Sequence, residues 1–241
     1  MDAASTVSRP SDRAPMETRK WRIDPAQAAI VAAICWSLFA LMALLVITGR
    51  TGTLDTVGLK LSRSGASLAS GGPARLLEAM RDITALGGVL LRHLFAASAV
   101  IALLLLRLRR EALVLAGTVL GGWLFNSVIK SLVARDRPTL VPHLVEAGGH
   151  SFPSGHSFNS AVVFLATALV FSAMTPRRPI RWTIIGAAVL LTWMIAYSRV
   201  WLGVHYPSDV IAGWLGGAGW VFMAAAVLDR PARRPAGRMA R

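Results

Sequence analysis

Six apolar runs divide this sequence, and their lengths indicate helices that cross a lipid bilayer. About 20 apolar residues span the hydrocarbon core of a membrane, and a spanning segment must satisfy its backbone hydrogen bonds internally. The runs cover residues 28–47, 94–106, 112–133, 157–174, 182–197 and 210–228. Several are shorter than the nominal length, and mildly polar neighbours extend them. The sequence therefore predicts an all-α fold, a bundle of six transmembrane helices.

Composition agrees with a membrane protein and raises a question about charge. Hydrophobic residues make up 54% of the chain and charged residues only 16%, which is too apolar for an ordinary soluble domain. Lys and Arg number 26 against 12 Asp and Glu, so the formal net charge is +14. An excess of this size is compatible with nucleic acid, anionic lipid or membrane topology. The positions of the charges decide between these explanations.

The basic residues concentrate in alternate connections between the apolar runs. The leader 1–27 and the tail 229–241 carry five each, and the turns 107–110 and 177–181 carry three each. Because cytoplasmic loops are enriched in Lys and Arg, these four segments are predicted to be cytoplasmic. The protein would then be a multi-pass protein of the inner membrane with both termini in the cytoplasm. The charge is thus mainly a topology signal and no nucleic-acid partner is expected. We predict a disordered leader at 1–27, a membrane domain at 28–228 and a basic tail at 229–241.

Two regions leave alternatives open. Arg92 and His93 lie in a stretch that starts as early as Thr84, so either the second helix projects beyond the bilayer or these residues face the bundle interior. We favour projection. The long connection from Thr48 to Arg81 has an amphipathic stretch near residues 54–61, which would suit a lid on the membrane surface. A plain connecting loop is the favoured interpretation.

Three polar patches flank the later apolar runs, and each has an ordinary explanation when taken alone. Lys130 with Arg137 ends the third run, where a Lys usually snorkels to the interface. Ser154, Gly155 and His156 precede the fourth run and resemble simple helix punctuation, although a helix N-terminus also suits a phosphate oxygen.

The third patch contains Ser198, Arg199, His205 and Asp209, between the last two runs. Pro207 suits the first turn of a helix, which places Asp209 near enough to accept an imidazole N–H from His205. The other ring nitrogen would then be an unprotonated nucleophile. An Asp that caps the helix beside an interfacial His is the ordinary alternative.

The alternation of six spans changes the balance, because it puts all three patches on one face of the membrane, the extracytoplasmic one. Two histidines, one paired with a carboxylate, then share a small region with cationic side chains and a helix N-terminus. Phosphoryl transfer needs such a set, since its transition state must have its equatorial oxygens neutralised while nucleophile and leaving oxygen stay in line.

At these residues the sequence resembles the type 2 phosphatidic acid phosphatase (PAP2) superfamily, in its bacterial membrane branch. The family pattern is Lys-x6-Arg-Pro, then Pro-Ser-Gly-His, then Ser-Arg-x5-His-x3-Asp. All three motifs are present without substitution, at residues 130–138, 153–156 and 198–209. Residues 82–88 also look like bacterial members, but no chemical role is assigned to them.

The resemblance implies a metal-independent lipid phosphatase that forms a phosphohistidine intermediate. His205 would be the nucleophile, Asp209 its orienting partner and His156 the general acid. The residues expected to bind phosphate are Lys130, Arg137, Ser154, Gly155 and Arg199. No cofactor is expected, and the single cysteine, Cys35, rules out a cysteine-based metal site. His143, Glu146 and His150 are assigned to the rim of the site.

Two other functions fit the sequence less well. A phosphotransferase would use the same catalytic residues and pass the phosphoryl group to a lipid or sugar, so the sequence does not separate it from a hydrolase. A transporter would place charges near the midplane, whereas these cluster at one face. A vanadium haloperoxidase shares the phosphate-site motifs, but membrane embedding argues against it. The particular lipid and the oligomeric state are left undetermined.

Overall fold

The computed structural model of the protein describes residues 24–63 and 74–228, and these residues form eight α-helices. Their bounds are α1 Pro25–Ile47, α2 Gly52–Ser62, α3 Ala74–Leu86, α4 Val89–Leu105, α5 Arg109–Val133, α6 Gly155–Ala173, α7 Arg178–Trp201 and α8 Pro207–Leu228. The all-α class is confirmed. The basic tail predicted at 229–241 and residues 1–23 of the leader lie outside the described residues.

Five helices are long and apolar enough to cross a membrane by themselves: α1, α5, α6, α7 and α8. The pair α3 and α4 passes the same test jointly, but it bends by 46° at residues 87 and 88. The described residues therefore provide six spans when the bent pair counts as one. The protein is a multi-pass membrane protein, as predicted.

The first helix begins where its sequence provides a cap. Asp24 accepts a hydrogen bond from Ala26 N at 2.9 Å, and Pro25 occupies the first turn, where its missing N–H costs nothing. α1 lies along α8, with Cys35 and Phe39 buried in the contact. Large apolar side chains on its other side, such as Ile34, Leu41 and Leu44, are exposed, as expected for a surface that faces lipid.

The centre of the bundle is α6, which packs closely against α8. It is continuous from Gly155 to Ala173 but contains a π-helical turn at Ala161–Leu165. A methyl group on Gly213 would lie 2.7 Å from Ser154 O, and one on Gly217 would overlap Phe158 O. Small residues let two membrane helices approach this closely. The contact places the start of α6 directly beside the start of α8.

The connection between the first two spans is not a plain loop, so that favoured interpretation was wrong. Residues 52–62 form α2, which packs on α7 and α8 and buries Asp55 and Leu59. Of the large apolar side chains in this stretch, Leu59 is covered by the protein, whereas Leu54, Val57 and Leu61 are exposed. Residues 64–73 of the connection lie outside the described residues.

The placement of Arg92 corrects a second expectation. Its side chain faces the bundle interior, where the residue is only 4% exposed, so it does not project to the membrane surface. The break between α3 and α4 leaves the Gly87 carbonyl oxygen available, and Arg92 Nη1 donates to it at 2.8 Å. The Arg92 side chain, one turn into α4, thus satisfies a carbonyl group that the break in the helix leaves without a backbone partner. His93 is half-buried.

The close contact of α6 and α8 generates a stability prediction. Gly217→Ala would force apart the two helix backbones, and overpacking of this kind costs about 1–3 kcal/mol. Gly186 is a matched control on α7, since a methyl group there meets no atom within 4 Å. Thermal unfolding in detergent should show a lower midpoint for Gly217→Ala only. Equal midpoints for both variants would contradict the packing described.

Candidate active site

The three sequence patches meet at one end of the bundle. They lie at the end of α5 with the following loop, at the start of α6, and on the segment from the end of α7 to the first turn of α8. Backbone hydrogen bonds join these segments: Ser151 N donates to Arg135 O at 2.7 Å, and Ser154 N donates to Asp209 O at 3.0 Å. The convergence predicted from the order of the spans is therefore observed.

His205 is buried at the centre of this region, and its two ring nitrogens have opposite neighbours. Nδ1 lies 3.5 Å from Asp209 Oδ2 and 3.4 Å from Ser151 Oγ. Nε2 lies 3.3 Å from Arg137 Nη1. A carboxylate accepts hydrogen bonds and a guanidinium only donates them, so the proton is assigned to Nδ1 and the lone pair to Nε2. The tautomer suits a nucleophile.

The environment also keeps this imidazole uncharged. Burial lowers the pKa of His205 from 6.5 to about 4, although the Asp209 carboxylate acts to raise it; the positive charges of Arg199 and Arg137 lower it further. Nε2 therefore retains its lone pair at neutral pH.

Asp209 is fully buried, and donors surround its carboxylate. Arg135 Nη1 donates to Oδ1 at 2.6 Å, Tyr206 N donates to Oδ2 at 2.9 Å, and Ser151 Oγ donates to Oδ2 in a short hydrogen bond. Buried carboxylates stay ionised when several donors satisfy them. The group that faces His205 Nδ1 is thus a fixed anion.

Backbone carbonyls hold two of the predicted phosphate-binding cations. Lys130 Nζ donates to His150 O at 2.8 Å. Arg137 donates to Gly148 O and Val204 O, both at 2.7 Å, and to Gly149 O at 3.0 Å. Burial lowers the pKa of Arg137, but a guanidinium remains protonated. The segment 148–150 therefore holds both positive charges, and that of Arg137 lies next to His205.

The third cation, Arg199, is held by a side chain of α3. Its Nη1 donates to Thr84 Oγ1 at 2.9 Å, and its buried Nε has no hydrogen-bond partner among the described residues. Thr84 belongs to the segment 82–88, which was assigned no chemical role. In the same segment, a methyl group on Gly87 would lie 3.3 Å from His156 Cδ2. This segment thus forms one wall of the site.

The start of α6 supplies the neutral part of the site. Ser154 occupies the N-cap position, but its hydroxyl makes no capping hydrogen bond and its buried Oγ has no partner in the described chain. A methyl group on Gly155 would lie 3.5 Å from Asn126 Nδ2. The first backbone N–H groups of a helix are free and favour an anion. His156 follows in the first turn of α6 and is half-buried.

Four residues near the site escaped the sequence analysis as functional candidates: Asp55, Thr84, Arg135 and Ser151. Arg135 lies inside the first motif at an unspecified position, and Thr84 lies in a segment whose family likeness was noticed. These two had a signal. No sequence signal pointed to Asp55, because its hydrogen-bond partners, Arg135 and Ser208, lie 80 and 153 positions away in the chain.

The predicted rim residues are exposed. His143 and Glu146 line an open hollow of about 590 Å³ together with Arg81, and His150 is exposed beside Lys130. Within residues 24–63 and 74–228 no group of three or more His, Cys, Asp or Glu side chains is arranged to hold a metal ion.

Comparison with known proteins assigns the family. The family model for the PAP2 superfamily matches residues 111–233, which is just over half of the chain. The chain belongs to the PAP2 superfamily. The resemblance seen in the motifs is confirmed.

Relatives and a solved structure in the PAP2 superfamily extend the likeness. Phosphatidylglycerophosphatase B of Bacillus subtilis is 37% identical over 94 residues, covering 37% of this chain and 44% of the relative. Lipid A 1-phosphatase of Rhizobium etli is 36% identical over 120 residues, covering 46% and 47%. The chain thus spans less than half the length of these two relatives.

The structural comparison covers more of the chain. The crystal structure of a transmembrane PAP2 type phosphatidylglycerolphosphate phosphatase from Bacillus subtilis matches with a TM-score of 0.75 and 25% identity. The match covers 84% of this chain and 98% of the other. The PAP2 membrane fold therefore extends well beyond the three motifs.

The unpaired hydroxyl of Ser154 generates a binding prediction. Ser154→Ala removes no hydrogen bond within the described protein, so the unfolding midpoint should stay within about 1 °C. Affinity for vanadate, which mimics a transferring phosphoryl group, should fall about tenfold, since one hydrogen bond to a charged group contributes about 1.5 kcal/mol.

Ser172→Ala is the matched control for this prediction, because Ser172 Oγ donates within its own helix to Leu169 O at 3.0 Å. It should leave vanadate affinity unchanged. Unaltered vanadate affinity in Ser154→Ala would remove Ser154 from the phosphate-binding set.

Proposed function

We propose that this protein hydrolyses a lipid phosphate or diphosphate through a phosphohistidine intermediate on His205. The observation that carries the proposal is the environment of this imidazole. Asp209 and Ser151 face Nδ1, and Arg137 faces Nε2. The ring nitrogen with the lone pair thus points to the same space as the cation that would bind phosphate.

The proposed first step forms the intermediate. His205 Nε2 attacks phosphorus, the bond to the lipid or phosphate leaving oxygen breaks, and His156 gives that oxygen its proton. Three cations, Lys130, Arg137 and Arg199, neutralise the equatorial oxygens. Ser154 and the backbone at Gly155 complete the cradle for these oxygens.

The second step releases phosphate. A water molecule attacks phosphorus from the side that the leaving group vacated, and neutral His156 takes its proton. The bond between phosphorus and Nε2 breaks, which regenerates the free imidazole and inorganic phosphate. Asp209 holds the Nδ1 proton throughout and stabilises the positive charge on the ring. No step requires a metal ion, and we propose a metal-independent reaction.

The position of the site at helix ends supports a lipid substrate. A headgroup arriving by lateral diffusion would reach the site while its acyl or prenyl chain stays in the bilayer. The two relatives are named for phosphatases of phosphatidylglycerophosphate and lipid A. From the basic turns we propose an inner-membrane location with cytoplasmic termini and an extracytoplasmic site.

Removal of the nucleophile tests the proposal. Purified His205→Asn, assayed in EDTA with a panel of labelled lipid phosphates, should release phosphate at least about 10³-fold more slowly than wild type. His93→Asn is the matched control, since among residues 24–63 and 74–228 the His93 ring hydrogen-bonds within α4, to Val89 O. Wild-type rates in His205→Asn would refute the nucleophile assignment, and label on an organic acceptor would indicate a transferase.

The dependence of activity on pH provides a second test of the role of His205. A neutral Nε2 is required for attack, so on the acid side activity should persist until the pH falls through about 4, the lowered pKa of His205. An unperturbed pKa of 6.5 would leave about a tenth of the imidazole neutral at pH 5.5. NMR of histidine-labelled protein can follow the titration, with His205→Asn to assign the signal. A midpoint near 6.5 would contradict the burial described.

A further inference from the structure

We propose that Asp55, in the first connection of the chain, is a positioning residue for catalysis, which acts through Arg135 to hold the Asp209 carboxylate against His205. The inference rests on the proposed function and adds to it a carboxylate from outside the three motifs. Asp55 reaches the first turn of α8 from α2, and none of its contacts involves the residues assigned to phosphate.

The hydrogen bonds of Asp55 are directed at the turn that carries Asp209 and at Arg135. Its side chain is 3% exposed. Oδ1 accepts from Ser208 N at 3.0 Å, and Oδ2 accepts from Ser208 Oγ at 2.9 Å and from Arg135 Nη2 at 2.7 Å. Ser208 directly precedes Asp209. The carboxylate therefore caps the turn that carries the catalytic Asp.

Shape reinforces this docking. A methyl group on Gly58 would overlap the Pro207 side chain, and Leu59 is fully buried beside Val210. One turn of α2 thus lies against the beginning of α8 without intervening space. Asp55 is consequently fixed by its own helix as well as by its hydrogen bonds.

Arg135 is the bridge between the two carboxylates. Nη1 donates to Asp209 Oδ1 at 2.6 Å, and Nη2 donates to Asp55 Oδ2 at 2.7 Å. The guanidinium lies over the ring of Tyr206, with 4.1 Å from its central carbon to the ring centre. The planar guanidinium group of an Arg holds two carboxylates at a fixed distance and angle to each other, which the ammonium group of a Lys does not.

The charge arrangement shows why Asp55 matters for His205. Two buried carboxylates share one guanidinium, so Arg135 is held on both sides. Without the charge of Asp55, Arg135 would keep the Ser208 and Thr51 hydroxyls as neutral acceptors at 2.8 and 3.4 Å. Among the described residues Asp209 would then be its one ionic partner, and the guanidinium would be free to draw Oδ1 towards itself. Oδ2 would then turn away from His205 Nδ1, from which it is already 3.5 Å distant. The orientation of the nucleophile would be lost while the phosphate-binding cations stayed in place.

This argument predicts an effect on turnover with little effect on binding. Asp55→Asn keeps the size of the side chain and should lower kcat about 10–100-fold, the range expected for loss of an orienting group. KM for a short-chain lipid phosphate and affinity for vanadate should change less than about threefold, because Lys130, Arg137 and Arg199 remain in place. Asp136→Asn is the matched control, an exposed carboxylate next to Arg135 in sequence, and should retain wild-type kcat.

A double-mutant cycle distinguishes action through Arg135 from a general structural role. In an Arg135→Gln background the bridge no longer exists, so adding Asp55→Asn should lower kcat less than about twofold further. Arg135→Lys keeps the charge but not the fork, and should lower kcat with KM unchanged. If Asp55→Asn does not yield folded protein, Arg135→Lys decides the matter.

The outcomes separate this inference from the proposed function. Wild-type kcat in Asp55→Asn or in Arg135→Lys would overturn the positioning role, as would losses that multiply fully in the double variant. A loss of vanadate affinity equal to the loss of kcat would also overturn it. Failure of the wild-type protein to release phosphate from any lipid phosphate would refute the proposed function itself, whatever these variants do.

Discussion

The burial of Asp209 is the constraint on which the rest of the active face depends. An ionised carboxylate out of water costs several kcal/mol unless it is paired and hydrogen-bonded. Its donors come from three separate parts of the chain: Arg135 after α5, Ser151 before α6, and Tyr206 with His205 before α8. Satisfying one anion therefore pulls together the loops that carry all three motifs. The fold of this face and the orientation of His205 have a common cause.

The cations of the site fall into two classes with different acceptors. Arg135 pairs with carboxylates, which raise its pKa even though burial acts to lower it. Lys130 and Arg137 donate to backbone carbonyls, and Arg199 donates to the Thr84 hydroxyl. A carbonyl or hydroxyl fixes the position of a cation without cancelling its charge. Arg135 is thus a neutralised structural bridge, whereas the other three keep the charge that we propose would meet a phosphate.

The sequence predicted the features that depend on local pattern or on motif order. Hydropathy located the spans, and the alternation of six spans was enough to place Lys130, His156 and His205 on one face. It did not predict the interior position of Arg92, because the Gly87 carbonyl becomes available only through a backbone break that hydropathy does not register. Asp55 was missed for a related reason. An acid in an amphipathic stretch looks solvated until a partner 153 residues later covers it.

The pairing of Asp55 with Ser208 also changes what the first connection is. Where a connecting loop merely joins two spans, its sequence can vary freely, but α2 buries a charge and an apolar side chain against the catalytic turn. Buried charges that lose their partner destabilise a protein by about 3–5 kcal/mol, so α2 and the turn are coupled in stability as well as in geometry. By contrast Ser154 Oγ and Arg199 Nε have no partner within the described protein, and polar groups in that condition reduce stability. The described chain thus satisfies the groups that orient His205, and it leaves two polar atoms on side chains proposed to meet the phosphate without a partner, which is expected of a site organised for a charged ligand.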